Sequence, residues 1–219
     1  MWAQVDVTAL VNLTGASTKG KSHNSSNVAV WLVPVDPPAA AAAPQPEHPR
    51  LVQHNKSFEP HVLVIPVGTK VEFPNHDPFF HNVFSLFDGK RFDLGLYEAG
   101  TSRDVLFDKP GISYIFCNIH AEMSAVVIAL TTPYYAISDR KGQVNIAHVP
   151  PGKYTLHVWY ETAPPEALAG LTREVSVENA TSNLGTLRVP VQTTVASHKN
   201  MYGKDYPPPA PGDPPYAKP

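Results

Sequence analysis

Cys117 is the only cysteine in the chain, and it opens a seven-residue run with His120 and Met123 in the spacing Cys-x2-His-x2-Met. Of the three methionines, Met1 is the start and Met201 lies near the C-terminal end, so Met123 is the one within the folded region. A thiolate, an imidazole and a thioether on one tight loop form a soft to borderline donor set. A trigonal plane of two His and one Cys with a long, weak axial Met is a copper arrangement. The second His has to come from a distant strand. His81 is the candidate, in Asn75-His76-Asp77-Pro78-Phe79-Phe80-His81-Asn82-Val83, where the Phe residues would keep the site dry. Glu122, between two of these residues, is an alternative axial oxygen ligand. His76 precedes an Asp-Pro turn and reads as surface. His54, His61, His148 and His157 have no partner spacing and read as structural or exposed.

These residues need a rigid frame, and the rest of the sequence supplies short strands. Apolar residues alternate or come in brief β-branched runs, punctuated by Gly, Pro, Asn and Asp. Strands are expected at residues 5–13, 27–35, 51–58, 62–66, 70–73, 82–87, 102–107, 112–117 and 124–130. A second series is expected at 134–138, 144–146, 153–160, 174–177 and 184–189, with one helical turn near 164–169. Cys117 then ends one strand and Met123 precedes the next. Pro37 to Pro49 is Pro/Ala-rich and reads as an exposed linker. Residues 193–219 read as a Pro-rich tail without packing.

Composition narrows the function. The 219 residues carry 17 Lys+Arg against 19 Asp+Glu, too balanced for a nucleic-acid footprint. One cysteine excludes an internal disulfide framework. No apolar run reaches the ~18–20 residues of a membrane helix, so no integral membrane segment is expected. The start, Met1-Trp2-Ala3-Gln4, leads directly into strand-like sequence and lacks the pattern of a secretory signal, which leaves two readings, a cytoplasmic protein or a mature end with an added Met. No constellation for a base, a nucleophile or a substrate pocket stands out, so the chain reads as a non-enzyme. The expected role is a one-electron carrier. The alternatives are a copper carrier or sensor without redox partners and a structural or adhesion sandwich.

The segment from about residue 51 to 130 resembles the cupredoxins, the small blue copper proteins. The likeness rests on Phe58-Glu59-Pro60, Val67-Gly68-Thr69-Lys70-Val71-Glu72-Phe73-Pro74-Asn75, His81-Asn82-Val83 and Tyr114-Ile115-Phe116-Cys117-Asn118-Ile119-His120 to Met123. The whole chain is similar to the periplasmic methylamine utilization protein-type cupredoxin-domain proteins of bacteria. Ser138 to Ile146 and Val149 to Trp159 resemble the carboxypeptidase regulatory-like domain, a transthyretin-like sandwich.

The resemblance implies an all-β chain: a Greek-key cupredoxin sandwich at 51–131, inserted into a second, transthyretin-like sandwich made of 1–36 and 132–192, with the linker at 37–50 and the tail at 193–219. It implies one type 1 copper ion, with His81, Cys117 and His120 equatorial and Met123 axial. Asn82 would tie the two ligand loops together, and the N–H of residue 118 or 119 would donate to the thiolate. A redox protein would dock near His120, over an apolar collar of Phe79 and Phe80. The resemblance also implies the periplasm or secretion, with a signal peptide already removed.

Overall fold

The computed structural model describes residues 4–15, 24–36, 48–86, 88–178, 182–192 and 198–207. Its strands are β1 (Val5–Thr14), β2 (Ala29–Pro34), β3 (Val52–His54), β4 (Ser57–Glu59), β5 (Val62–Pro66), β6 (Thr69–Pro74), β7 (His81–Ser85) and β8 (Phe92–Tyr97). They continue as β9 (Ser102–Phe107), β10 (Gly111–Phe116), β11 (Ser124–Leu130), β12 (Tyr135–Ile137), β13 (Gln143–Val149) and β14 (Gly152–Trp159). The helix α1 (Pro165–Leu171) precedes β15 (Arg173–Val177) and β16 (Ser182–Pro190). The described residues are all-β apart from that one short helix. Among the described residues no helix is long and apolar enough to cross a membrane.

The chain divides into two compact units, one of residues 1–43 and 132–196, the other of residues 44–131 and 197–219. In the first unit, a three-stranded sheet in the order β13-β1-β16 and a four-stranded sheet in the order β12-β2-β14-β15 contribute to one core. Alternation creates it. Successive side chains of a strand point to opposite faces, and in β1 residues Val5, Val7, Ala9, Val11 and Leu13 are buried while Asp6, Leu10 and Asn12 are exposed. Strand β2 pairs with both β12 and β14, setting Trp31 opposite Tyr135 and His157. Thr132 Oγ1 donates to the Leu32 carbonyl at 2.7 Å. Pairing therefore joins chain segments from either side of residues 44–131.

The second unit carries a five-stranded sheet in the order β5-β11-β10-β7-β8, with the pairs β6–β9 and β3–β4 beside it. Strand β11 is buried on both faces and reads Ser-Ala-Val-Val-Ile-Ala-Leu, a continuous apolar run. Phe73, Phe107, Val83, Ile115 and Val127 are fully enclosed in the core, together with Cys117 and Met123.

Three local readings of the sequence differ from the structure. Residues 51–58 are two strands, because Asn55 and Lys56 take φ of 52° and 55° and turn the chain back on itself as a two-residue hairpin. Strand β8 is not among the strands expected from the sequence, although Phe92-Asp93-Leu94-Gly95-Leu96 alternates; past Gly95 the faces switch, leaving Leu96 exposed and Tyr97 buried. Gly95 sits at φ 66°, and the β7–β8 register shifts between Asn82 and Phe84, as at a bulge. The tail expected to be unpacked over 193–219 is hydrogen-bonded over residues 198–207, where His198, Met201 and Tyr206 find partners on the 117–123 loop. Composition counted its prolines and missed those three contacts. Tail residues 193–197 and 208–219, and linker residues 37–47, lie outside the described residues.

Candidate metal centre

Two loops of the second unit build the site. The loop before β7 is fixed by buried Asn75. Its Nδ2 donates to the Phe79 carbonyl at 2.8 Å, and its Oδ1 accepts the Asp77 N–H at 3.0 Å. His81 then begins β7, with none of its surface exposed. The second loop joins β10 to β11 and closes on itself: the Cys117 N–H donates to the Met123 carbonyl at 3.2 Å and the Met123 N–H to the His120 carbonyl at 3.1 Å. Cys117 and Met123 are fully buried, His120 is half-buried and Glu122 is exposed.

The donor atoms converge. Cys117 Sγ lies 3.8 Å from His81 Nδ1 and 3.7 Å from His120 Nδ1, and the two Nδ1 atoms are 3.2 Å apart. Donors bound at ~2.0–2.3 Å and about 120° apart stand about 3.5–3.8 Å from one another, which the two sulfur–nitrogen edges match. The shorter nitrogen–nitrogen edge corresponds to an angle of about 105°, so the triangle has room for one small ion. A thiolate with two imidazoles suits copper among the first-row metals. His81, Cys117 and His120 are the one group of three or more His, Cys, Asp or Glu residues with such convergent donor atoms among the described residues. Met123 shares their enclosure through the loop's own hydrogen bonds.

Burial pushes the Cys117 thiol up from its ordinary value, while the N–H groups of Asn82, Ile119 and His120 donate to the sulfur and work the other way. Those donors suit a thiolate, the form that binds metal. The N–H of residue 119 is thus one of the donors expected from the sequence. Asn82 contributes through its backbone. Its side chain pins β7 to β8, with Nδ2 donating to Asp93 Oδ1 at 2.7 Å, so the tie from Asn82 to the Cys117 loop runs through its backbone N–H and not its side chain.

Asp77 is a residue the sequence reading missed. Its Oδ2 lies 2.7 Å from His81 Nε2, and its carboxylate accepts the N–H groups of Asn55 and Lys56 at 2.6 and 2.9 Å. Burial works to raise its pKa, but the Lys56 N–H, His81 and the Asn55 N–H outweigh it and hold the carboxyl below its usual range. An ionised carboxylate only accepts, so His81 Nε2 carries the proton. Burial pushes the His81 pKa down, against the pull of Asp77. The neutral ring therefore turns a bare Nδ1 toward Cys117. A carboxylate on the far nitrogen of a ligating His fixes its tautomer and raises its basicity. Asp77→Asn keeps the shape and removes the charge. It is expected to weaken copper binding about 10–100-fold, measured by competition with a chelator, and an unchanged affinity would remove Asp77 from this role.

The two phenylalanines expected to act alike do not. Phe79 packs against both imidazoles, 5.2 Å from the His81 ring and 5.6 Å from the His120 ring. Phe80 is 53% exposed. The five other histidines weighed from the sequence stand apart from this triangle: His54, His76 and His148 are exposed, His61 Nδ1 lies 3.2 Å from the Ser124 carbonyl oxygen, and His157 stacks on Trp31 at 5.2 Å.

No protein-family model matches the chain, and no curated protein matches it. Solved structures do. The chain is similar to a purple cupredoxin from Nitrosopumilus maritimus at 24% identity, over 37% of this chain and 99% of that one, with a TM-score of 0.35. It is similar to a copper-containing nitrite reductase from Thermus scotoductus at 30% identity, over 44% of this chain and 25% of that one, with a TM-score of 0.37. A point variant of amicyanin, solved with Cu(I), matches at 15% identity over 46% of this chain and 98% of its own, with a TM-score of 0.36.

Proposed function

We propose that the chain is a type 1 copper protein that carries single electrons. The observation that supports this best is the buried triangle of His81 Nδ1, Cys117 Sγ and His120 Nδ1. Met123, buried beside them, is the axial donor, and exposed Glu122 is not. Copper supplies the one-electron couple. The protein's part is to hold the donors still, so that little rearranges between oxidation states. A module that only ferries copper needs donors that exchange readily with a partner, and two of these three are fully enclosed.

In this reading the copper domain, residues 51–131, is an insertion into a transthyretin-like sandwich of residues 1–36 and 132–192, as in the methylamine utilization protein-type arrangement. The protein works in the periplasm or outside the cell. Its redox partner docks near His120. Phe80 and Ile119, each directly before a proposed ligand, are 53% and 43% exposed and give that face apolar surface.

Copper(II) added to the metal-free protein is expected to give an intense blue band at one ion per chain, bleached and restored by reduction and reoxidation. A colourless, irreversible complex would favour carriage. The docking face has its own test, in electron self-exchange between oxidised and reduced copies. Phe80→Glu is expected to slow self-exchange on the order of tenfold, because a charge on a docking face acts on the encounter rate, and to leave the band in place. Phe79→Glu is expected to alter the band itself, since that ring touches both imidazoles. Unchanged exchange in Phe80→Glu would move the docking face elsewhere.

A further inference from the structure

The C-terminal residues 198–207 belong to the same compact unit as the metal loop and run along it. The His198 ring stacks on Phe116, with centroids 4.0 Å apart and planes at 26°. His198 Nε2 lies 2.7 Å from the Ala121 carbonyl oxygen. A carbonyl only accepts, so Nε2 is the donor. The Tyr206 hydroxyl donates to the Cys117 carbonyl at 2.7 Å. The Met201 N–H donates to Asn118 Oδ1 at 2.9 Å. The segment has an internal frame: Asn200 Oδ1 accepts the N–H groups of Tyr202 and Lys204 at 2.9 and 3.0 Å, and the Asn200 carbonyl accepts the Gly203 N–H at 2.9 Å.

These contacts complement the loop's own bonds. The loop uses the Met123 and His120 carbonyls internally, and the C-terminal segment takes up those of Cys117 and Ala121. Backbone carbonyls held at fixed partners fix the peptide planes they belong to. Cys117 and Ala121 bracket the run from the thiolate donor to the residue after His120. A binding loop that is already ordered loses less freedom when its ligand arrives.

We propose that residues 198–207 are a strap that positions the metal loop, so that the copper centre is completed by the chain's C-terminal segment. The proposal rests on the copper reading for its function and on the loop contacts for its structure. His198 and Tyr206 act through Ala121 and Cys117 and are positioning residues.

The test compares the full chain with a chain ending at residue 197 and with the double substitution His198→Ala, Tyr206→Phe, which retains the segment in the chain but removes its bonds to the Cys117 and Ala121 carbonyls. Two quantities are read: amide hydrogen exchange at Cys117 and Met123 in the metal-free protein, and release of copper(I) to a chelator from the loaded protein. Both variants are expected to exchange the loop amides at least tenfold faster, with the Val127 amide of β11 unchanged, and to release copper(I) at least tenfold faster. Loop amides that exchange as in the full chain would overturn the strap. So would faster exchange without faster release, or a Val127 amide that quickens equally, which would mean general loosening. A full chain that took up no copper would sink the copper reading alone, and the exchange comparison would still decide the strap.

Discussion

Cys117→Ser is expected to abolish the intense visible band of the copper(II)-loaded protein while leaving the fold intact. The colour of such a centre comes from charge transfer out of the thiolate, and a serine hydroxyl stays protonated and is a poor ligand for copper. The substitution is close to isosteric at a site with no exposed surface. A serine oxygen can still accept from the N–H groups that now point at the sulfur, so the loss of stability should stay near ~1–2 kcal/mol. Absorbance on copper titration and the far-ultraviolet dichroism of the same sample separate the two effects. A retained intense band would place the chromophore elsewhere.

Phe73→Ala is expected to have the largest effect on stability, about 3–5 kcal/mol, as for other enclosed aromatic residues. Phe73 has no exposed surface and its ring packs on Phe92 at 5.8 Å. Its backbone is held too: the Tyr97 hydroxyl donates to the Phe73 carbonyl at 3.0 Å, and the Gln53 side chain donates to the same Tyr97 hydroxyl. Strand β6 leads into Asn75, which shapes the loop carrying Asp77 and His81, so copper affinity should fall along with stability. Phe80→Ala, at an exposed position, should change stability by no more than ~0.5 kcal/mol. Urea unfolding of the two variants side by side measures the contrast. Equal midpoints would mean that the core does not depend on the Phe73 ring.

What the sequence made visible was set by how local each signal is. Cys117, His120 and Met123 lie within one loop, so spacing alone puts three soft donors together. His81 is 36 residues away but carries a local mark in the apolar residues around it. The strands announced themselves by alternation and β-branched runs. Asp77 stayed hidden because its role depends on two N–H groups of a hairpin turn 21 and 22 residues earlier, and no spacing rule connects them. Phe79 and Phe80 look equivalent in sequence; the turn from Asn75 to His81 sends one ring onto the imidazoles and the other to solvent. The strap was concealed by its composition. Only Pro207 of its ten residues is a proline, but the Pro-rich sequence that follows and the lack of alternation give no sign of packing, and it is seated by a ring stack and three hydrogen bonds rather than by regular structure. Strand β8 alternates in sequence as far as Leu96, but its buried face switches past Gly95, at φ 66°, so that Leu96 is exposed and Tyr97 buried, which periodicity does not reveal.

X-ray absorption at the copper edge of the loaded protein addresses the central claim most directly, since it counts ligand types around the metal without assuming a spectroscopic class. The account predicts one short copper–sulfur distance from Cys117 and two imidazole nitrogens from His81 and His120, with the sulfur contribution lost in Cys117→Ser. A first shell of nitrogen and oxygen alone in the unsubstituted protein would contradict it.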